Sequence, residues 1–157
     1  MCGGMARLAA HADVITPNLT EAALLLGIPY DALPSGEVGC REIAERLSMV
    51  GSRSVVLTGA ALSPGYTGAM CFVAKTGQST AIQTPRVPRE FHGSDDVFSS
   101  VLTGALVRGA PLHYAVRQAV EFVRACAERT NEEGLPMREG VDFEPLLGLL
   151  TKAGGTT

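Results

Sequence analysis

The sequence predicts an α/β fold: a mostly parallel sheet flanked by helices, with one β-hairpin. Three observations lead there. Strand-like and helix-like segments alternate along the chain. The run Ser54-Val55-Val56-Leu57-Thr58 is an unbroken apolar strand of the kind buried on both faces. The turns at Thr16-Pro17-Asn18 and at 91–96 each lead directly into a helical segment, the arrangement at which α/β proteins collect ligands.

Taken in order, Met5–Ala12 reads as the last turns of a helix, and the β-branched residues at 14–17 as a short strand. Glu21–Leu26 is helical and stops at Gly27, a residue suited to the left-handed cap. Ile28–Gly39, interrupted by proline and glycine, reads as a loop. Cys40–Val50 is amphipathic, with Ile43, Ala44 and Leu47 on one face. The strand at 54–58 ends at Gly59. Ala69–Lys75 and Ser79–Val87 flank Thr76-Gly77-Gln78 as a hairpin. Two long helices follow, at 95–108 and 112–130, and a short one near 143–151. No internal repeat or low-complexity linker interrupts the chain, so a single domain over 1–157 is expected.

Composition narrows the function. With 157 residues, 46% of them hydrophobic and 18% charged, the chain can bury a core and is not disordered. A net charge of −3 with scattered Lys and Arg gives no general attraction to nucleic acid or anionic membrane. No apolar run approaches the roughly 18 residues of a membrane span. Cys2, Cys40, Cys71 and Cys126 show no metal-type or paired spacing, which predicts reduced thiols in the cytoplasm.

Any anion must therefore meet a local site, and two segments offer one. In Phe91-His92-Gly93-Ser94-Asp95-Asp96, small residues and two carboxylates precede an apolar helix. The free N–H groups of a helix start beside an acid make a phosphate cradle with its own base; a plain turn with a Ser or Asp cap has the same pattern. Asn18 and Glu21, three apart, share a helix face, and the same spacing fits a capping box that needs no ligand. His92 adjoins the cradle, where a lone histidine is usually a surface group. Cys126, on a face with Val123 and Ala127, reads as core.

Thr16-Pro17-Asn18-x-x-Glu21 resembles the Asn-x-x-Glu motif of the ribokinase superfamily, and Gly93-Ser94-Asp95-Asp96 resembles its Gly-Thr-Gly-Asp anion hole. In order and spacing, over nearly the whole chain, the two resemble the C-terminal half of pyridoxal (pyridoxine/pyridoxamine) kinase. The resemblance implies a ribokinase-like fold with its N-terminal part missing. It implies phosphorylation of the 5′-hydroxymethyl of a B6 vitamer by ATP with Mg²⁺. It makes Asp96 the catalytic base and the amides of Gly93, Ser94 and Asp95 the anion hole. Glu21 with Asn18 organises the metal, Thr58 and Gly59 contact the nucleotide, and Val101 to Leu106 line the adenine side. The implied partners are ATP, a B6 vitamer, and a homodimer mate or separate N-terminal half carrying the acceptor site.

One residue departs from that pattern. Asp95 stands where relatives usually have glycine, although some superfamily members accept aspartate there. Aspartate tolerates the left-handed backbone, but its charge opposes a phosphate about 4 Å away by about 1 kcal/mol in water and about 4 at an effective dielectric of 20. That weakens binding from several-fold to roughly a thousandfold. Hydroxymethylpyrimidine kinase, which shares both motifs, is the alternative enzyme. A non-catalytic nucleotide-binding remnant is the alternative outside catalysis.

Overall fold

The computed structural model describes residues 9–51, 53–89, 91–134, 136 and 140–152. Cys2 and the first part of the expected helical segment Met5–Ala12 lie outside them. The chain forms two compact units, one ending at Gln83 and one beginning at Thr84.

The first unit contains β1 (Val14–Ile15), α1 (Leu19–Leu26), a 3₁₀ turn at Tyr30–Ala32, α2 (Gly36–Met49), β2 (Ser54–Ala60), β3 (Tyr66–Val73) and most of β4 (Gln78–Pro85). The sheet order is β1-β2-β3-β4. β1 pairs parallel to β2, joined by the helix-bearing crossover that parallel neighbours require. β2 pairs antiparallel to β3. Residues 74–77 link β3 to β4, a connection short enough only for a hairpin. The fold is α/β as expected, with a sheet that is mixed. The unbroken apolar run in β2 reflects burial on both faces, which a central strand needs whatever its neighbours' directions. Val55, Val56 and Leu57 are all fully buried.

One face of β2 carries Val55 and Leu57. They cluster with Ala22 of α1, with Cys40, Ile43, Ala44 and Leu47 of α2, and with Met70 of β3. Burying each large side chain contributes about 1.5–3 kcal/mol. Ile43, Ala44 and Leu47 share the inward stripe that their spacing predicts.

α2 begins at Gly36, four residues before the expected start, inside what reads as a loop. The reason is steric: a β-carbon on Gly39 would lie 2.5 Å from the Pro34 carbonyl carbon. The glycine that resembles a breaker lets the first turn close over the proline.

In the second unit, α3 (Ser94–Val107) and α4 (Leu112–Glu132) form a helical hairpin, followed by a 3₁₀ turn at Glu144–Leu146 and α5 (Gly148–Lys152). Phe98, Val101, Leu102 and Ala105 form the buried stripe of α3, and Ala115, Val116, Ala119 and Val120 lie buried on α4. The expected helix near 143–151 is split into the 3₁₀ turn and α5.

Cys40, Cys71 and Cys126 are buried free thiols. Burial raises Cys40 and pushes Cys71 and Cys126 up to about 11; the Asp142 carboxylate adds a smaller rise at Cys126. The raised folded pKa values mean that the stability tied to the neutral thiols is complete below the ordinary value of 9.0 and is lost as pH rises through about 11. Urea midpoints measured from pH 8 to 11 are expected to fall over that window. A midpoint flat across it would contradict the burial of the thiols.

Candidate active site

The first group of candidate residues lies where β1 ends. The Thr58 N–H donates to the Pro17 carbonyl at 2.9 Å, and Asn18 forms a parallel bridge with Thr58. β2 does not stop at Gly59 as expected: its pairing with β3 shifts register between Leu57 and Ala60. One extra residue is accommodated there, with Gly59 in the left-handed region at φ 64°. This is a β-bulge of the kind that re-aims a strand beside a site. It leaves Thr58 buried and Gly59 exposed.

Asn18 is the N-cap of α1 and not part of the helix. Its Oδ1 accepts from the Glu21 N–H at 2.9 Å, and Glu21 Oε2 accepts from the Asn18 N–H at 3.0 Å. The capping box is thus formed. It fixes both side chains at the strand end beside Thr58. Glu21 is exposed, and one carboxylate oxygen is committed to the cap.

The second group opens α3. Gly93 is the N-cap at φ 78°, ψ 0°, a left-handed turn that glycine adopts without steric penalty, and as cap residue it offers no side chain. The first helical bond runs from the Val97 N–H to the Gly93 carbonyl at 3.1 Å. The amides of Ser94, Asp95 and Asp96 therefore precede the helical ladder at the positive end of the dipole. Ser94 Oγ donates to the Phe91 carbonyl at 3.1 Å, tying the turn to the segment before it. The Arg89 guanidinium lies 5.5 Å from the Phe91 ring centre. Asp95 and Asp96 are both exposed in the first turn, as is His92 just before it.

The two residues expected on the adenine side differ in burial. Val101 is buried, 7% exposed, on the stripe of α3, whereas Leu106 is half-buried outside it. In the first unit a groove lined by Glu45, Met49, Phe72 and Lys75 contains neither Asn18, Glu21, Thr58 nor Gly59. Among the described residues no three His, Cys, Asp or Glu side chains gather as a metal cage. No described helix is long and apolar enough to cross a membrane.

Residues 4–140 match the family described as Phosphomethylpyrimidine kinase. The chain belongs to the phosphomethylpyrimidine kinase family. Within that family, relatives carry two kinds of name. A hydroxymethylpyrimidine/phosphomethylpyrimidine kinase of Haemophilus influenzae is 32% identical over 123 residues, covering 76% of this chain and 44% of that protein. A pyridoxine kinase of Bacillus subtilis is 32% identical over 142 residues, covering 86% of this chain and 47% of its own length. The crystal structure of pyridoxal kinase from Lactobacillus plantarum superposes with a TM-score of 0.85 at 27% identity, over 97% of this chain and 54% of that one. The chain spans about half the length of these relatives. The resemblance to pyridoxal kinase is thus correct at the level of the kinase family, and the acceptor is not distinguished by kinship.

This family member contains two features that the sequence reading missed. The bulge at Thr58-Gly59 has a signal, a glycine inside an apolar strand pattern, which here marks a bulge and not an end. The packing of Gly140 beneath the Gly93 turn joins residues far apart in sequence, and no local signal announces it.

Proposed function

We propose that this chain is the nucleotide-binding half of a kinase that transfers the terminal phosphoryl of ATP to a hydroxymethyl group on a nitrogen heteroaromatic ring, with a B6 vitamer as acceptor. The observation that carries this reading is the left-handed, glycine-led start of α3 with Asp96 in its first turn. Phosphoryl transfer leaves little covalent work to the protein; positioning and charge stabilisation dominate. The amides of Gly93, Ser94, Asp95 and Asp96 would receive the phosphoryl oxygens, and Asp96 would take the acceptor hydroxyl proton. Thr58 and Gly59 would meet the nucleotide at the bulge, and Leu106, more open than Val101, would face the adenine.

The donor set suits Mg²⁺, an ion held by one or two carboxylates together with substrate phosphates and water and not by an all-protein cage. Exposed Glu21, steadied by Asn18, would hold it. Bound there, the cation would neutralise charge on the phosphates.

Hydroxymethylpyrimidine is the second acceptor reading, favoured by the family description and by the H. influenzae relative. Both acceptors present the same hydroxymethyl chemistry, so residues outside this chain would select between them. A homodimer mate or an N-terminal half would supply those residues. The cytoplasm, where ATP and the vitamers meet, is the proposed compartment.

The test is ATP-dependent phosphorylation by the purified chain, alone and with an N-terminal half supplied in trans, offered pyridoxal and hydroxymethylpyrimidine in parallel. Faster product formation from pyridoxal supports the first reading, and the reverse order the second. Nucleotide binding with no transfer to either would leave a non-catalytic module.

Asp95 has its own expected outcome. Asp95→Gly should tighten Mg-ATP binding at least several-fold, because a carboxylate near the phosphates costs about 1–4 kcal/mol depending on the local dielectric. Calorimetric titration reads it; an unchanged affinity would mean that the carboxylate points away from the phosphates.

A further inference from the structure

The turn that opens α3 is backed by a part of the chain more than forty residues later. Gly140 adopts φ 77°, and a β-carbon there would lie 3.1 Å from the His92 carbonyl oxygen. Glycine thus leaves room for the backbone at 140 to run close beside the peptide that joins His92 to Gly93, the cap of α3. Two residues on, Asp142 is tied to α4 twice. Its N–H donates to Thr130 Oγ1 at 2.9 Å, and its Oδ2 accepts from Arg129 Nε at 2.9 Å. Thr130 is fully buried, and its hydroxyl donates in turn to the Cys126 carbonyl at 2.6 Å. Arg129 also pairs with Glu133. The hydroxyl of Thr130 is thereby used in both directions, which fixes it and the backbone of Asp142 to the helix.

We propose that Thr130 and Asp142 are positioning residues for the phosphate-binding turn: by clamping the 140–142 segment to α4 they hold Gly140 against the His92 carbonyl and set the orientation of the Gly93–Asp96 amides. The proposal rests on reading that turn as the phosphate site. Thr130 and Asp142 touch no substrate; they act through Gly140 and His92. A peptide plane rotated by a small angle redirects its N–H, and donors that are preorganised lose effect when they must reorient.

The experiment reads the turn directly, by ¹⁵N–¹H correlation spectra of the full chain, with Mg-ATP titrated into each variant. Thr130→Val keeps the shape and removes the bridging hydroxyl. Thr130→Ser restores it. Asp142→Asn keeps the N–H and weakens the tie to Arg129, and serves if Thr130→Val does not fold. The expected result is displaced Gly93–Asp96 amide resonances and about tenfold weaker Mg-ATP binding in Thr130→Val, both recovered in Thr130→Ser, with a smaller displacement in Asp142→Asn. Wild-type positions for those amides in a folded Thr130→Val or Asp142→Asn protein would overturn the proposal, even if the melting temperature fell, since a purely structural role lowers stability alone. The phosphate-site reading fails separately: in that case Mg-ATP leaves the Gly93–Asp96 resonances of the unsubstituted chain unmoved.

Discussion

Asp96→Asn is expected to lower any phosphoryl transfer by this chain on the order of 10²- to 10⁴-fold, the usual contribution of a positioned general base. The carboxamide keeps the volume and planar shape of the side chain in the first turn of α3, so the backbone amides stay where they are. What is lost is a group able to accept the acceptor proton. Mg-ATP affinity is expected to hold or to rise, because a negative charge near the phosphates disappears. Stability should fall by no more than about 0.3–1 kcal/mol, the value of one acid at a helix N-terminus. Rate and affinity thus separate in one variant. Transfer at the unsubstituted rate would falsify the role given to Asp96, and a parallel loss of affinity and rate would point to a disturbed turn.

The second large effect is structural. In Gly68→Ala, the new methyl group would sit 2.0 Å from the Ile82 carbonyl oxygen and 2.8 Å from the Gln83 α-carbon. Both belong to the backbone of β4, which has no rotamer to move, so β3 and β4 must part. Overpacking of this kind costs about 1–3 kcal/mol and sometimes more, a large share of the roughly 5–15 kcal/mol that holds a domain folded. The turn glycine Gly77 is a useful contrast. It has φ 67° and open space around its missing side chain, so Gly77→Ala carries only the left-handed penalty of about 1–2 kcal/mol. Urea unfolding should rank Gly68→Ala as the less stable whenever the strands cannot relax. Equal midpoints for Gly68→Ala and the unsubstituted chain would mean that β3 and β4 do not approach this closely.

What could be read in advance follows the range of the forces involved. The helix at 112–130 and the stripe of Ile43, Ala44 and Leu47 are set by residues within two turns of one another, and the structure has both. Gly27 caps α1 at φ 67° as its position suggests. Glycines were harder, since the same residue serves as breaker, bulge or contact point. Gly39 admits Pro34 into a helix start and Gly59 bends a strand that continues. Each depends on a neighbour that local patterning does not name. In the candidate site the two turns were legible because caps and helix starts are local. The pairing of Asn18 with Thr58 across two strands, and the seating of Gly140 under His92, required the fold.

The two helix starts end in opposite thermodynamic positions. α1 closes on itself through Asn18 and Glu21, so its first turn is complete in the folded chain. α3 is led by a glycine that offers no side-chain acceptor. A phosphate bound there, as the proposed function has it, would do the work of a cap, and ligand occupancy and the ordering of that turn would become one equilibrium. The stabilisation grows as RT ln(1 + [L]/Kd). Under the proposed function, nucleotide concentration would help to determine how firmly the second unit is folded.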